Sequence, residues 1–244
     1  MEILVMKHRV VEVKNVLSCL ELMENLQGRS SITPGIGLIH GPSGFGKTTT
    51  ICWLINQLGA MNAIYVRCYA TDTPSSFLAR VMEELGADMV YPLRKSVDFI
   101  VDRMNERQLP LFIDEADHIV GQSKIMETIR DLYDATEQPV VLVGMEEIAR
   151  RISHRKQLFN RVSEWVEFQP ADLSDVHSFA EQLLDERITV SDDMLEHIRK
   201  RSGGEVRRIL TALEKIERSA IANDMDVVTL DNWGDQPLFL EFRR

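Results

Sequence analysis

GPSGFGKTT, residues 41–49, is the stretch from which the fold of this chain can be read. From Gly41 to Thr48 it fits the phosphate-loop pattern G-x-x-x-x-G-K-[ST] without a mismatch. Gly41, Gly44 and Gly46 allow backbone angles that a side chain would forbid, so successive N–H groups can turn inward as a nest for phosphate oxygens. Pro42, Ser43, Phe45 and Thr49 complete the segment expected to wrap the anion. Lys47 is placed to reach the β- and γ-phosphates, and Thr48 offers its hydroxyl to Mg²⁺. The ligand expected from this loop is ATP with Mg²⁺. GIGLIH, residues 35–40, reads as a short buried strand entering the loop. Ile51, Leu54, Ile55 and Leu58 recur at helical spacing beyond it, and the helix points its positive end at the same anion.

Further along, LPLFIDEAD, residues 109–117, is an apolar strand ending in two carboxylates. Asp114 is expected to hold Mg²⁺ through its water shell, and Glu115 to orient the attacking water. Between the two motifs, NAIYVRC (62–68) reads as a strand, Thr73 and Pro74 as cap and first position of a helix running to about Leu85, residues 86–95 as a loop, and Ser96 as the cap of a helix to about Arg107. A helix over Gln122–Thr136 and a buried strand in PVVLVG (139–144) follow, then short helices around 146–152 and 156–161. This alternation implies a mostly parallel sheet covered on both faces.

Ahead of the loop, Val16, Leu17, Leu20, Met23 and Leu26 mark an amphipathic helix ending near Gly28. After Pro170 the pattern changes: three amphipathic helices succeed one another and no strand is evident. The expected organisation is an N-terminal helical extension and linker (1–33), an α/β phosphate-loop core (34–170), a small all-helical lid (171–224) and a tail (225–244). The tail carries Trp233, Phe239 and Phe242, and either folds back on its own domain or docks a partner.

Composition narrows the setting. The 244 residues are 44% hydrophobic and 27% charged, as in an ordinary globular protein. No apolar run approaches the roughly 18–20 residues of a membrane span. Cys19, Cys52 and Cys68 are odd in number and lack C-x-x-C spacing, which argues for reduced thiols in a cytoplasmic protein. A net charge of −10 works against nonspecific nucleic-acid binding by the whole surface but not by local patches.

With its phosphate loop, Asp-Glu strand end and helices closing in GGEVRRI, the chain resembles an AAA+ ATPase, and within that superfamily the DNA-transposition ATPases: phage Mu B protein and the related TnsC and TniB proteins. The stretches that carry the likeness are FIDEADHI (112–119), VVLVGMEEI (140–148), QLFNRV (157–162) and GGEVRRIL (203–210). The resemblance implies further roles. Arg161 is similar to the finger that reaches a neighbouring subunit's nucleotide, with Arg155 in reserve. Arg207 matches the second sensor of the γ-phosphate. The first sensor falls at Gly144-Met145-Glu146, where many relatives carry Asn, leaving Glu146 as its weak counterpart. Loops carrying Tyr69 and Thr71, and Arg94 and Lys95, correspond to the segments that line duplex DNA. The larger Mu-type proteins place a helix-turn-helix domain ahead of the ATPase; with 33 residues before the core here, DNA binding is expected from the ATPase itself.

What the resemblance implies is an ATP-dependent homo-oligomer, a ring or a helical filament, assembled on duplex DNA without base reading. It would select transposition targets, activate a transposase and disassemble on hydrolysis in a bacterial or phage-infected cytosol. The alternatives are a helicase-loader or replication-initiator ATPase, and a nucleotide-gated scaffold without DNA contact.

Overall fold

Two strands, β1 (Ile36–His40) and β4 (Val140–Gly144), run side by side in the interior of a five-stranded, all-parallel sheet of order β2-β3-β4-β1-β5. The computed structural model describes residues 6–7, 9–59 and 62–239. β3 (Leu111–Asp114) lies on the far side of β4, and β2 (Ile64–Arg67) and β5 (Val162–Glu167) form the edges. Every residue of β1, β3 and β4 is buried, which is why these strands read as continuous apolar runs.

Alternation sorts the side chains to two faces. Ile36, Leu38, Leu111, Ile113, Val140 and Leu142 join one cluster with residues of α3 (Pro74–Glu84), α4 (Leu93–Arg107) and α5 (Ser123–Thr136). On the other face, helix α1 (Lys14–Gly28) lays Leu22 and Leu26 against β1. Gly37 permits that approach, since a Cβ there would lie 2.8 Å from Leu26 Cδ1. Burying a side chain such as Phe112 in such a core contributes about 1.5–3 kcal/mol.

The chain clusters into two units: residues 17–42 with 47–168, and residues up to 16 with 43–46 and from Gln169 onward. The first holds the sheet, α2 (Lys47–Leu58), α3–α5, α6 (Ile148–Ser153) and α7 (Lys156–Phe159). The second holds α8 (Leu173–Leu183), α9 (Asp192–Ser202), α10 (Val206–Ala222), α11 (Leu230–Trp233) and the glycine tip of the phosphate loop.

Several expectations need correction. The buried stripe of α1 is Val16, Cys19, Leu22, Met23 and Leu26; Leu17 is 47% exposed, so the helix is turned from the face the Leu pattern suggests. The α4 helix begins at Leu93, and Ser96 lies inside its first turns with its hydroxyl on the backbone of Val90. Arg94 and Lys95 therefore stand on a helix rather than in a loop. Strand β5 has no counterpart among the expected elements. As an edge strand it alternates half-buried and exposed residues, with Trp165 56% exposed, so no apolar run betrays it. The helical unit also contains strands, β6 (Thr189–Val190) and β7 (Val227–Val228), paired in parallel. β7 and the buried Trp233 fold the described tail onto this unit; Phe242 lies outside the described residues. By contrast, Thr73 caps α3 as expected, in a reciprocal capping box with Ser76. The three cysteines are free thiols, two of them buried, and no helix among the described residues is long and apolar enough to cross a membrane.

Candidate active site

The sheet brings the two sequence motifs to one level. His40, the last residue of β1, pairs with Gly144 of β4, and β3 pairs with the same strand through Ile113 and Leu142. The phosphate loop therefore leaves the sheet beside the carboxylates at the end of β3, at the carboxyl ends of the strands where open parallel sheets place their ligands.

Within the loop, Gly41, Gly44 and Gly46 have φ of +147°, +81° and +93°. Residues with a Cβ seldom adopt these angles, so the glycine spacing is a backbone requirement. Lys47 opens α2 and turns its ammonium back on the loop, donating to the carbonyls of Gly41 at 2.6 Å and Pro42 at 2.8 Å. Burial lowers its pKa, against the opposing pull of Asp114, Glu115, Asp117 and Glu146. One cation thus faces four carboxylates.

Asp114 is 3% exposed and fully engaged. Its Oδ2 accepts from Thr48 Oγ1 at 2.8 Å and from the Tyr65 hydroxyl at 2.9 Å, and its Oδ1 accepts from the Glu115 N–H at 2.8 Å. A threonine hydroxyl and one carboxylate side by side form a hard oxygen set. Among the described residues no cluster of three or more His, Cys, Asp or Glu forms a cage for a metal. That combination fits Mg²⁺, which keeps its waters and binds through one or two carboxylates together with substrate phosphates.

Glu115 adopts φ +54° and ψ +37°, a left-handed conformation uncommon for a residue with a side chain. Its carboxylate pairs with Arg67 at 3.3 Å; Arg67 stands opposite Asp114 in the β2–β3 register. Asp117 accepts from the Met145 N–H at 2.6 Å, and a Cβ on Gly144 would lie 2.5 Å from its Oδ2. The glycine at the expected first-sensor position is thereby explained, because the Asp117 carboxylate occupies the space. Glu146 is exposed and acts on Lys47 only through its charge.

The remaining predicted residues have partners of other kinds. Arg161 grips Asp134 with two nitrogens, at 2.6 and 2.7 Å, and donates to the Gln157 carbonyl. Arg155 is bound to the Gly121 carbonyl and the Ser123 hydroxyl. In the helical unit, the Arg207 N–H donates to the Gly44 carbonyl at 2.9 Å while its side chain is exposed. Thr71, Arg94 and Lys95 are exposed; Arg94 lies 4.0 Å from Asp98, and Tyr69 carries the Arg80 guanidinium 5.1 Å from its ring centroid.

Tyr65 and Arg67 belong to no motif that sequence reasoning recognises, and Asp117, although inside LPLFIDEAD, takes no role from that motif. The alternation of IYVR does send Tyr65 and Arg67 to one face, but only the register against β3 aims them at Asp114 and Glu115. Burial and the Asp114 carboxylate both raise the Tyr65 pKa, so its hydroxyl stays a donor. Tyr65→Phe is expected to cost about 1–2 kcal/mol of folding stability, because a buried carboxylate loses a hydrogen bond. Urea unfolding measures this, and an unmoved midpoint would show that the phenol does not support Asp114.

A family model described as an AAA domain matches residues 31–152. Among characterised proteins, the chain is 25% identical to the ORC1-type DNA replication protein 1 of Halobacterium salinarum over 239 residues, 92% of this chain and 74% of that protein. It is 28% identical to the replication factor C large subunit of Pyrococcus horikoshii over 186 residues, 73% of this chain but only 34% of that protein. Among solved structures, the Aeropyrum pernix ORC2 protein in ADPNP–ADP complexes superposes with a TM-score of 0.67 at 16% identity, covering 95% of this chain and 68% of that one. Cdc6p from Pyrobaculum aerophilum gives 0.66 at 16%, covering 92% and 69%. At such identities the solved structures bear on the fold alone.

Proposed function

Because this chain belongs to the AAA family and is an ATPase that uses ATP with Mg²⁺, we propose that it is a DNA-binding switch of the replication-initiator or helicase-loader kind. The observation that carries this reading is the ORC1-type relative, whose likeness extends through 92% of the chain, beyond the ATPase motifs into the helical unit. The relatives named above are replication proteins, so they favour this reading over transposition-target selection and a transposase partner.

Within the site, the loop N–H groups and Lys47 bind the phosphates, and Thr48 and Asp114 hold the metal. Mg²⁺ supplies charge neutralisation on the phosphate oxygens. Glu115, its carboxylate held by Arg67 at 3.3 Å, accepts the proton of the attacking water. Arg207 reads the nucleotide from α10. Arg161 acts on a neighbouring copy's nucleotide only if assembly draws it off Asp134. Oligomerisation then depends on ATP.

DNA contact rests on Arg94 and Lys95 on the first turn of α4, with Tyr69 and Thr71 as secondary candidates. The double substitution Arg94→Ala/Lys95→Ala is expected to weaken ATP-dependent duplex binding and to reduce the salt slope by about 2 per protomer. Titrations of labelled duplex at several salt concentrations test it. Unchanged affinity and slope would remove the two residues from the interface. If the parent protein binds no DNA with ATP at low salt, the scaffold alternative takes over. A helicase-loading assay run beside a transposase-stimulation assay separates the initiator reading from the transposition reading.

A further inference from the structure

The glycine tip of the phosphate loop is packed against an acid. Gly44 has its would-be Cβ position filled by Glu205: the Oε1, Cδ and Cγ atoms of that side chain are the three nearest atoms, and a methyl group there would collide with the carboxylate. Glu205 is the residue that starts α10, yet its side chain makes no capping bond to that helix, and its carboxylate has no hydrogen-bond partner among the described residues. Its position is imposed from two sides. Gly203 and Gly204 turn the chain with φ of +66° and +75°, and Gly204 is wedged against Pro170 and Ala171, accepting from the Ala171 N–H at 3.0 Å. Two residues beyond Glu205, the Arg207 N–H is bonded to the Gly44 carbonyl. The first turn of α10 is thus tied to the loop, and the carboxylate it carries is held on the loop's glycine.

We propose that Glu205 tunes nucleotide affinity by setting a fixed negative charge against the N–H nest that receives the phosphates. Repulsion between the carboxylate and the incoming anion opposes binding, and it grows with the charge of the ligand. Glu205 therefore weakens ATP more than ADP and narrows the preference for the triphosphate. Because the acid rides on α10, a shift of α10 against the loop relieves the repulsion and moves the helix that bears Arg207. Sequence alone shows an acid inside the basic stretch RKRSGGEVRR but not what it touches.

The test is the affinity of the full chain for ATP, ADP and adenosine, by calorimetry, for the parent and for Glu205→Gln, Glu205→Asp and Lys47→Ala. Glu205→Gln keeps the shape and removes the charge. It is expected to tighten ATP by about 10-fold and ADP by about 3-fold, to leave adenosine unchanged, and to lose most of the gain at 1 M salt, where the screening length falls to about 3 Å. Glu205→Asp keeps the charge and should stay within about 2-fold of the parent. Equal or weaker ATP binding by Glu205→Gln, or the same gain for adenosine, overturns the proposal. Lys47→Ala is the separate control. If it binds ATP as the parent does, the loop is not the nucleotide site, and that failure is distinct from a failure at Glu205.

Discussion

Glu115→Gln is expected to lower ATP turnover by about 10²–10⁴-fold while ATP binding stays within about 3-fold of the parent. The amide has the size of the carboxylate and can keep the same backbone conformation, but it cannot take a proton from water. What the substitution removes from the fold is small. The Arg67–Glu115 pair spans 3.3 Å with side chains 57% and 33% exposed, a setting in which ion pairs contribute about 0–1 kcal/mol. A loss of turnover therefore reports on the reaction rather than on unfolding. Phosphate release, nucleotide titration and thermal unfolding on one preparation check all three. Turnover near the parent's would remove Glu115 from its role. If assembly depends on ATP, this variant should also hold the assembled state once nucleotide is added.

Lys47→Ala is expected to weaken ATP by about 10²–10³-fold, the range lost when one partner of a buried charge pair is removed. The reason lies in the balance of charge. Asp114, Glu115, Asp117 and Glu146 all act on Lys47, so its loss leaves their negative charge, offset only by Arg67 at Glu115, to oppose the incoming anion. The ammonium also bonds the Gly41 and Pro42 carbonyls, so the loop loses an internal tie. Calorimetric titration with ATP and Mg²⁺ measures the change. Binding within about 3-fold of the parent would mean that the phosphates are held elsewhere.

The glycine spacing and the lysine of the loop are legible in the chain because they answer local demands: three residues with positive φ, one cation, one hydroxyl at the start of a helix. Buried parallel strands announce themselves in the same way, since both of their faces must be apolar. The helices of the second unit are legible from their periodicity. What stays hidden are features whose signal lies in a neighbour. Edge strand β5 alternates in exposure and carries an exposed Trp165, so it resembles surface chain. Ser96 is of a type that favours the cap position, yet its hydroxyl is spent on Val90, three residues before the helix begins.

The phosphate loop, the Asp-Glu strand end and the parallel α/β class are thus written in the linear chain, because each follows from spacing, chirality and burial within one short segment. The side chains that serve them are chosen by folding. Tyr65 and Arg67 reach Asp114 and Glu115 through a strand register, Asp117 fills the space left by Gly144, Arg161 is held by Asp134, and Glu205 rests on Gly44. Such contacts join residues far apart in the chain, and Coulomb and steric forces act on distance in space, which spacing along the chain does not encode.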